Sequence, residues 1–312
     1  MINNIIKKAN KYISNQEYRL RVNSKLGLYN NMDDKKFIEK MFKATMDYPL
    51  NLENPKSFNE KLQWLKLYDR NPLYTKLVDK YKVREYISEK IGEGYLIPLL
   101  GVWDDPEDID FDSLPNKFVL KCNHNSGLGM CICTDKSKID IKKVKNELKS
   151  GLAQNYYLNG REWPYKNVSR KIICEKYMTD ETGKNLRDYK FYCFDGKPKI
   201  VGIYQDRNSD KETTGDFFDM NFEWVDLRFG MPNALNKPQK PQKFQEMIKI
   251  AEILSEGMPE VRVDLYISNN KIYFGELTFF DGGGFDKIEP LEWDYKLGSW
   301  IKLPKKMLSN GD

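Results

Sequence analysis

The sequence predicts an α+β fold in which a helical N-terminal stretch precedes a body of mostly antiparallel strands. Three observations carry that prediction. Apolar residues recur at helical spacing through roughly the first 70 positions. Beyond Pro115 they alternate in short runs separated by Gly, Asn and Asp, the pattern of half-buried strands joined by tight turns. No internal repeat or low-complexity segment runs through either part, which excludes repeat architectures.

The elements follow in order. Ile2, Ile5, Ile6, Ala9, Tyr12 and Ile13 line one side of a first helix, while Lys7, Lys8 and Lys11 take other positions. Such a basic amphipathic helix has two readings: packing on its own domain, or docking on a membrane surface or partner through residues 1–20. Asn54-Pro55 and Asn71-Pro72 are breaks, with a helix over Phe58–Leu67 between them and one continuous helix from Leu73 to Ile91, stopped by Gly92. Strand patterns follow in KFVLKCNH and MCICTD, then a helix near Ile141–Asn155, strands in RKIICEKYM and DYKFYCFDGKPKIVGIYQD, a helix over Pro241–Glu256, and a final pair, VRVDLYI and KIYFGELTF. The expected division is a helical, basic segment 1–70 and a region 71–312 with subdomains at about 115–178 and 179–303.

Composition narrows the function classes. The 312 residues are 40% hydrophobic with a mean hydropathy of −0.69, enough for a sizeable core and roughly two domains. The longest apolar stretch, Tyr95–Trp103, is interrupted by Pro98 and Gly101 and falls short of the ~20 residues of a membrane span. The formal net charge is +5, and residues 1–50, with ten Lys and Arg against five Asp and Glu, hold all of it. That excess is too small, and too lacking in a recognised motif, for nucleic-acid binding. A single histidine, His124, excludes a multi-histidine metal site. The five cysteines are odd in number and without Cys-x-x-Cys spacing, and the N-terminal apolar stretch contains lysines and no cleavage site; both point to reduced core thiols in a cytosolic protein.

The final hairpin bears the most chemistry. With a three-residue turn at Asn269-Asn270-Lys271, Ile267 faces Tyr273, Val263 faces Leu277, Asp264 faces Glu276 and Arg262 faces Thr278. Facing Cβ atoms lie about 5 Å apart. Two carboxylates at that separation repel unless a cation or proton lies between them, and oxygen ligands suit Mg²⁺ held together with substrate phosphates. The plainer alternative pairs Asp264 with Arg262 or a lysine on an exposed face. Upstream, Lys121 stands among apolar strand neighbours before Ser126-Gly127-Leu128-Gly129, a hairpin whose N–H groups could meet phosphate oxygens. Lys80 reads as a charged helix residue, ordinarily solvent-facing. Glu175, Lys176 and Tyr177 end one strand, Asp188 and Lys190 share one face of the next, and Arg207 closes the strand after it.

In this order NPKSFNEKLQW, KLVDKYKVREYI, YLIPLLGVW, KFVLKCNHNSGLG, GREWPYK, IICEKYM, DYKFYCFDGKPK, VRVDLY and FGELTF resemble the TupA-like group of the ATP-grasp superfamily, associated with teichuronopeptide and capsular-polysaccharide biosynthesis. The match covers about residues 54–303. The resemblance implies an ATP-grasp fold, two α+β subdomains clasping ATP, with the helical extension in place of the usual Rossmann-like domain. It implies that Lys80 and Lys121 meet the ATP phosphates, that Ser126, Gly127 and Gly129 cover them, and that Glu175, Lys176 and Tyr177 form the adenine hinge with Asp188 near the ribose. Lys190 and Arg207 would address the γ-phosphate, Asp264 and Glu276 would hold Mg²⁺ (or Mn²⁺), and Arg262 would serve the reacting group. The superfamily's Glu-x-Asn reads Glu276-Leu277-Thr278 here, so Thr278 stands at the third metal position. Arg161 and Lys166 of GREWPYK fall in a segment read as touching phosphate or substrate, and His124 is read either as a phosphate or substrate contact or as a structural residue. The activity implied is phosphoryl transfer from ATP to a carboxylate, then attack by an amine to give an amide, with a uronic acid of a surface glycan as the carboxylate and the protein cytoplasmic or peripheral at the inner face of the membrane. Alternatives are a kinase-like phosphotransferase, a glycosyltransferase, and a non-catalytic scaffold of glycan assembly.

Overall fold

The structure is a computed structural model that describes residues 2–179, 186–205 and 213–306. Helices α1 (Ile2–Ser14), α2 (Gln16–Lys25), α3 (Asp34–Met46) and α4 (Phe58–Tyr68) come first, followed by α5 (Leu73–Val78) and α6 (Val83–Ile91). Strands β1 (Leu99–Trp103), β2 (Phe118–Cys122) and β3 (Met130–Cys133) lead to α7 (Ile141–Ala153), the single turn α8 (Tyr157–Gly160) and β4 (Ile172–Lys176). Next come β5 (Asp188–Phe194), β6 (Lys197–Gln205), β7 (Thr214–Asp219), β8 (Trp224–Val225), β9 (Arg228–Phe229) and α9 (Phe244–Ser255). The described order ends with β10 (Glu260–Ser268), β11 (Lys271–Thr278), β12 (Ile288–Glu289) and α10 (Leu291–Trp300).

The chain divides into two compact units. The first comprises the described residues of Met1–Arg70, Tyr157–Trp163 and Phe280–Asp312 and is mainly helical. Its helices start where the sequence supplies caps. The Asp33 carboxylate accepts the Lys36 N–H at 3.0 Å, and Ser57 and Glu60 form a reciprocal capping box at the head of α4. Phe37, Ile38, Met41 and Phe42 of α3 make one core with Leu20 and Phe285. Helix α10 approaches α4 so closely that a Cβ built at Gly298 would lie 2.3 Å from the Lys56 carbonyl oxygen. The Asp294 carboxylate of α10 accepts the Asn59 backbone N–H at 3.1 Å, and Lys66 is buried with Nζ donating to the carbonyls of Gly160 (2.8 Å) and Gly283 (2.7 Å). Helix α1 differs: Ile6 and Ile13 are 52% and 73% exposed.

The second unit, Asn71–Tyr156 with Pro164–Phe279, holds two antiparallel sheets. The smaller has the order β1-β4-β2-β3 and is covered by α7, with Phe118, Leu120, Val144, Leu148, Ile172 and Cys174 in its core. The larger has the order β11-β10-β5-β6-β7-β8, and α9 packs on the face that carries Phe191 and Cys193. Burial pushes the Cys122 and Cys131 thiols up to about 11 and the Cys174 thiol up to about 12, consistent with free, unreactive cysteines.

Two sequence expectations require correction. The helix expected over 73–91 is broken: Asp79 is extended (φ −75°, ψ 108°), and its carboxylate accepts the N–H groups of Tyr81 (2.8 Å) and Lys82 (3.2 Å), so a short acidic side chain opens α6 instead of continuing α5. The β10–β11 turn has two residues, Asn269 and Asn270, at φ +49° and +56°, so Ile267 faces Ile272 and Tyr266 faces Tyr273. A bulge at Gly275 restores the expected register, and Asp264 faces Glu276, Val263 faces Leu277 and Arg262 faces Thr278.

Candidate functional site

Strand alternation gathers the acidic site. Arg262 and Asp264 share a face of β10; Lys190 of β5 pairs with Asp264 on one side, and Glu276 of β11 on the other. Arg262 binds Asp264 with two bonds, Nε to Oδ1 at 2.7 Å and Nη2 to Oδ2 at 2.8 Å. Its Nη2 also reaches Glu276 Oε1 at 3.2 Å and Thr278 Oγ1 at 3.0 Å, while Lys190 Nζ donates to Asp264 Oδ2. The Thr278 hydroxyl donates to Glu276 Oε1 at 3.2 Å. Burial alone would raise the Glu276 carboxyl, but Lys80, Arg262, Lys190 and Lys121 outweigh it and hold that group at about 2. The expected facing of Asp264 and Glu276 and the Arg262 pairing with Asp264 are both present, but the pair lies on a buried face, not an exposed one.

The donor set fits a hard cation shared with phosphates. Among the described residues no cluster of three or more His, Cys, Asp or Glu side chains is arranged to hold a metal ion. Two facing carboxylates are what Mg²⁺ takes when phosphate oxygens and water complete its shell. Asp264 and Glu276 would be its ligands, and Thr278 adds a neutral hydroxyl beside them.

Lys80 lies in the α5–α6 break, not on a helix face. Its Nζ donates to the Asn125 carbonyl at 2.8 Å and stands 3.6 Å from Glu276 Oε2. Burial pushes its pKa down, Glu276 pulls it back and Lys121 lowers it further. Lys121 Nζ pairs with Glu175 Oε2 at 2.6 Å, and Arg84 Nη1 stands 3.7 Å from the same carboxylate. Glu175 therefore turns toward the lysine of β2, while the Lys176 backbone N–H is bonded to the Pro98 carbonyl at 3.0 Å. Between the two sheets a cavity of about 260 Å³ is lined by Lys121, Met130, Ile132, Glu175, Lys176, Tyr177, Asp188 and Tyr266, among others. A larger cavity of about 480 Å³ lies among Arg187, Tyr189, Lys240, Lys243 and the Asn269–Asn270 turn, with no carboxylate among the described residues of its lining.

Of the loop residues, Ser126 and Gly127 are exposed, and Gly127 (φ +86°) has nothing within 4 Å of a built Cβ. Gly129 is a packing glycine: its Cβ would lie 2.8 Å from Gly151 Cα of α7. His124 turns inward, with Nε2 3.1 Å from the Gln154 carbonyl, and burial lowers its pKa. Arg161 is likewise buried, stacked over Phe37 and bonded to the Tyr29 carbonyl, so it is a packing residue of the helical unit; Lys166 is exposed. Arg207 lies outside the described residues.

Sequence reasoning missed Asp79, Asn123 and Tyr266. Tyr266 continues the parity of Arg262 and Asp264, and its hydroxyl donates to Asp188. Burial, then Asp188, raises that hydroxyl well above its ordinary value. Its ring occupies the space that a Gly275 side chain would fill, 2.8 Å from a built Cβ.

The family model described as TupA-like ATPgrasp matches residues 60–302. No curated protein matches the sequence. Among solved structures, the D-alanine–D-alanine ligase from Bacillus anthracis complexed with ATP aligns at 18% identity and a TM-score of 0.41, over 65% of this chain and 55% of that one. The chain thus spans little more than half the length of that ligase. The D-alanine–D-alanine ligase from Helicobacter pylori aligns at 14% identity and a TM-score of 0.41, over 79% and 70%. The ATP-grasp ligase PsnB complexed with minimal precursor, Mg and ADP aligns at 10% identity and a TM-score of 0.37, over 82% and 67%.

Proposed function

The chain belongs to the TupA-like ATP-grasp family, and from that membership we propose that it is an ATP- and Mg²⁺-dependent ligase joining a carboxylate to an amine, with a uronic acid of a bacterial surface polysaccharide as the carboxylate. The ATP-grasp fold itself supports ATP-dependent ligase chemistry. The observation that supports Mg²⁺-ATP chemistry is the cross-strand pair Asp264–Glu276 flanked by Lys190 and Arg262, close to a cavity that Lys121 and Asp188 line.

In the proposed reaction a substrate carboxylate oxygen attacks the γ-phosphorus of ATP, the bond to the bridging oxygen breaks, and an acylphosphate and ADP result. An amine nitrogen then attacks the acyl carbon, phosphate leaves with the C–O electron pair, and the nitrogen loses a proton to leave the amide. Bound Mg²⁺, or Mn²⁺ in its place, supplies charge neutralisation at the transferring phosphates. Among the chain's own groups, Lys80 and Lys121 would bind phosphate oxygens under the Ser126–Gly129 loop. Glu175, Lys176, Tyr177 and Asp188 would orient the nucleoside, and Lys190, Arg207 and Arg262 would stabilise the transferring group. Phosphoryl transfer needs positioning and charge more than a base, which suits a site with no histidine in its cavity. The test is incubation with ATP, Mg²⁺, a uronate-containing glycan precursor and hydroxylamine. Release of ADP with hydroxamate formation is expected; neither product appearing would sink the reading.

A non-catalytic scaffold has one observation in its favour, that Arg262 already bonds both carboxylates. Mg²⁺-ATP affinity in Asp264→Asn decides between the two: a marked loss supports the ligase, and equal affinity removes the metal role. We further propose that α1 rests on an anionic membrane surface, because its exposed Ile6 and Ile13 accompany Lys7, Lys8 and Lys11 in a helix without an acidic residue.

A further inference from the structure

Lys80 occupies a position that its local sequence alone would leave mobile. A lysine side chain has four rotatable bonds, and a break between two short helices is ordinarily a place of backbone freedom. Here the break is tied down from one direction. The Asp79 Oδ1 atom accepts three donors: the backbone N–H groups of Tyr81 and Lys82, and Asn123 Nδ2 at 2.7 Å. The Asp79 carbonyl accepts the Val83 N–H at 2.9 Å, which completes the start of α6.

Asn123 is 0% exposed and uses every polar atom it has. Its Nδ2 donates to Asp79 and to the Ser169 carbonyl at 2.9 Å, and its Oδ1 accepts the Lys171 N–H at 2.7 Å. Its backbone N–H goes to the Lys171 carbonyl at 3.0 Å, and its carbonyl accepts the Lys80 N–H at 3.1 Å. Two residues on, the Asn125 carbonyl accepts Lys80 Nζ at 2.8 Å, and Asn125 Nδ2 donates to the Gly151 carbonyl of α7 at 3.1 Å. Lys80 is therefore bonded at its backbone and at its ammonium to the segment that leads directly into Ser126.

We propose that Asp79 and Asn123 are positioning residues that hold Lys80 and the base of the Ser126–Gly129 loop as one phosphate-binding unit. This rests on the reading of Lys80 as a phosphate ligand. The asparagine is specific to the task. An aspartate at 123 would set a second carboxylate against Asp79, and an isosteric leucine would leave the buried Asp79 carboxylate without its side-chain donor. Asp79 contributes a charged acceptor whose bonds to N–H groups are stronger than neutral ones.

The test measures ATP, ADP and adenosine binding by calorimetry or ligand-observed magnetic resonance in the full chain. Asn123→Ala and Asp79→Ala are expected to weaken ATP and ADP by about tenfold or more while leaving adenosine within about twofold, the size of one lost charge-assisted bond at the phosphate end. Asp79→Asn keeps the acceptor oxygen without its charge and is expected to fall between wild type and Asp79→Ala. In a Lys80→Ala background most of the effect of Asp79→Ala should vanish, because it acts through Lys80. Equal losses for ATP and adenosine, full additivity with Lys80→Ala, or no loss in either alanine variant overturns the proposal. Should Asn123→Ala fail to fold, Asp79→Ala alone gives the same comparison, with adenosine binding as its control. A Lys80→Ala protein that binds ATP like wild type overturns the phosphate reading beneath the proposal, a result distinct from failure of the clasp.

Discussion

Arg262 and Glu276 set the behaviour of the acidic site. A metal ion between Asp264 and Glu276 has to share oxygens that Arg262 holds at 2.7–3.2 Å. Arg262→Gln is therefore expected to raise the affinity for Mn²⁺ added without nucleotide by about tenfold, since a bidentate charged competitor is removed. Paramagnetic resonance of free Mn²⁺ measures it, and unchanged affinity would show that the guanidinium does not compete. The Glu276 carboxyl is held at about 2 against an ordinary 4.5. A carboxyl held low in the folded state adds stability above its ordinary value, and that contribution is lost as pH falls through the lower one. Glu276→Gln should thus be less stable than wild type at neutral pH, with the gap closing between about pH 4.5 and 2 in thermal unfolding. Strand parity made it legible that Arg262 and Asp264 share a face, whereas the facing of Asp264 and Glu276 holds only because the Gly275 bulge offsets the shorter turn. Asp79 and Asn123 were not legible, since their meaning is a bond across 44 residues of chain.

At the scale of elements, two glycines decide what the helices and strands can do. Gly298 lets α10 lie on the segment entering α4, and Gly298→Ala is expected to cost about 1–3 kcal/mol through overpacking against backbone that cannot retreat. Denaturant unfolding reads it, and a neutral substitution would mean that α10 shifts freely. Gly275 opens the β11 bulge under the Tyr266 ring, with a built Cβ also 3.0 Å from the Asp264 carbonyl oxygen. Gly275→Ala should displace Tyr266 and weaken ATP more than it lowers the melting temperature, and a pure stability loss would count against a site role for the bulge. The bulge also explains why the expected register of Asp264 and Glu276 holds although the turn is one residue shorter than expected: the residue removed from the turn reappears at Gly275. Neither the bulge nor the α5–α6 break has a periodicity signal, because one residue at Gly275 and four at 79–82 are too few to change a regular pattern.

For the whole molecule, the charge and the fold divide differently along the chain. All of the net +5 lies in residues 1–50, and α1 presents Ile6 and Ile13 with three lysines. Removal of residues 1–20 is expected to abolish co-sedimentation with vesicles rich in anionic lipid while leaving ATP binding unchanged. Equal sedimentation of both proteins would return α1 to a packing role. The helical unit also includes residues 157–163 and 280–306, with Lys66 bonded to Gly160 and Gly283. No local pattern in GREWPYK marks Arg161 as a core residue of that unit rather than a phosphate contact.

The sequence by itself determined the α+β class and the family, because helical and strand periodicity and short ordered motifs are properties of near neighbours, while the carboxylate pair also needed the Gly275 bulge. The tertiary structure alone decided which lysines are held and by what, where the helix breaks, which loop glycine is packing and which stands open, and that His124 and Arg161 turn inward. Each of those depends on a partner far along the chain, such as Asn123 for Asp79, Gly151 for Gly129 and Tyr29 for Arg161. Burial and pairing, unlike periodicity, are set by which distant segments fold against each other.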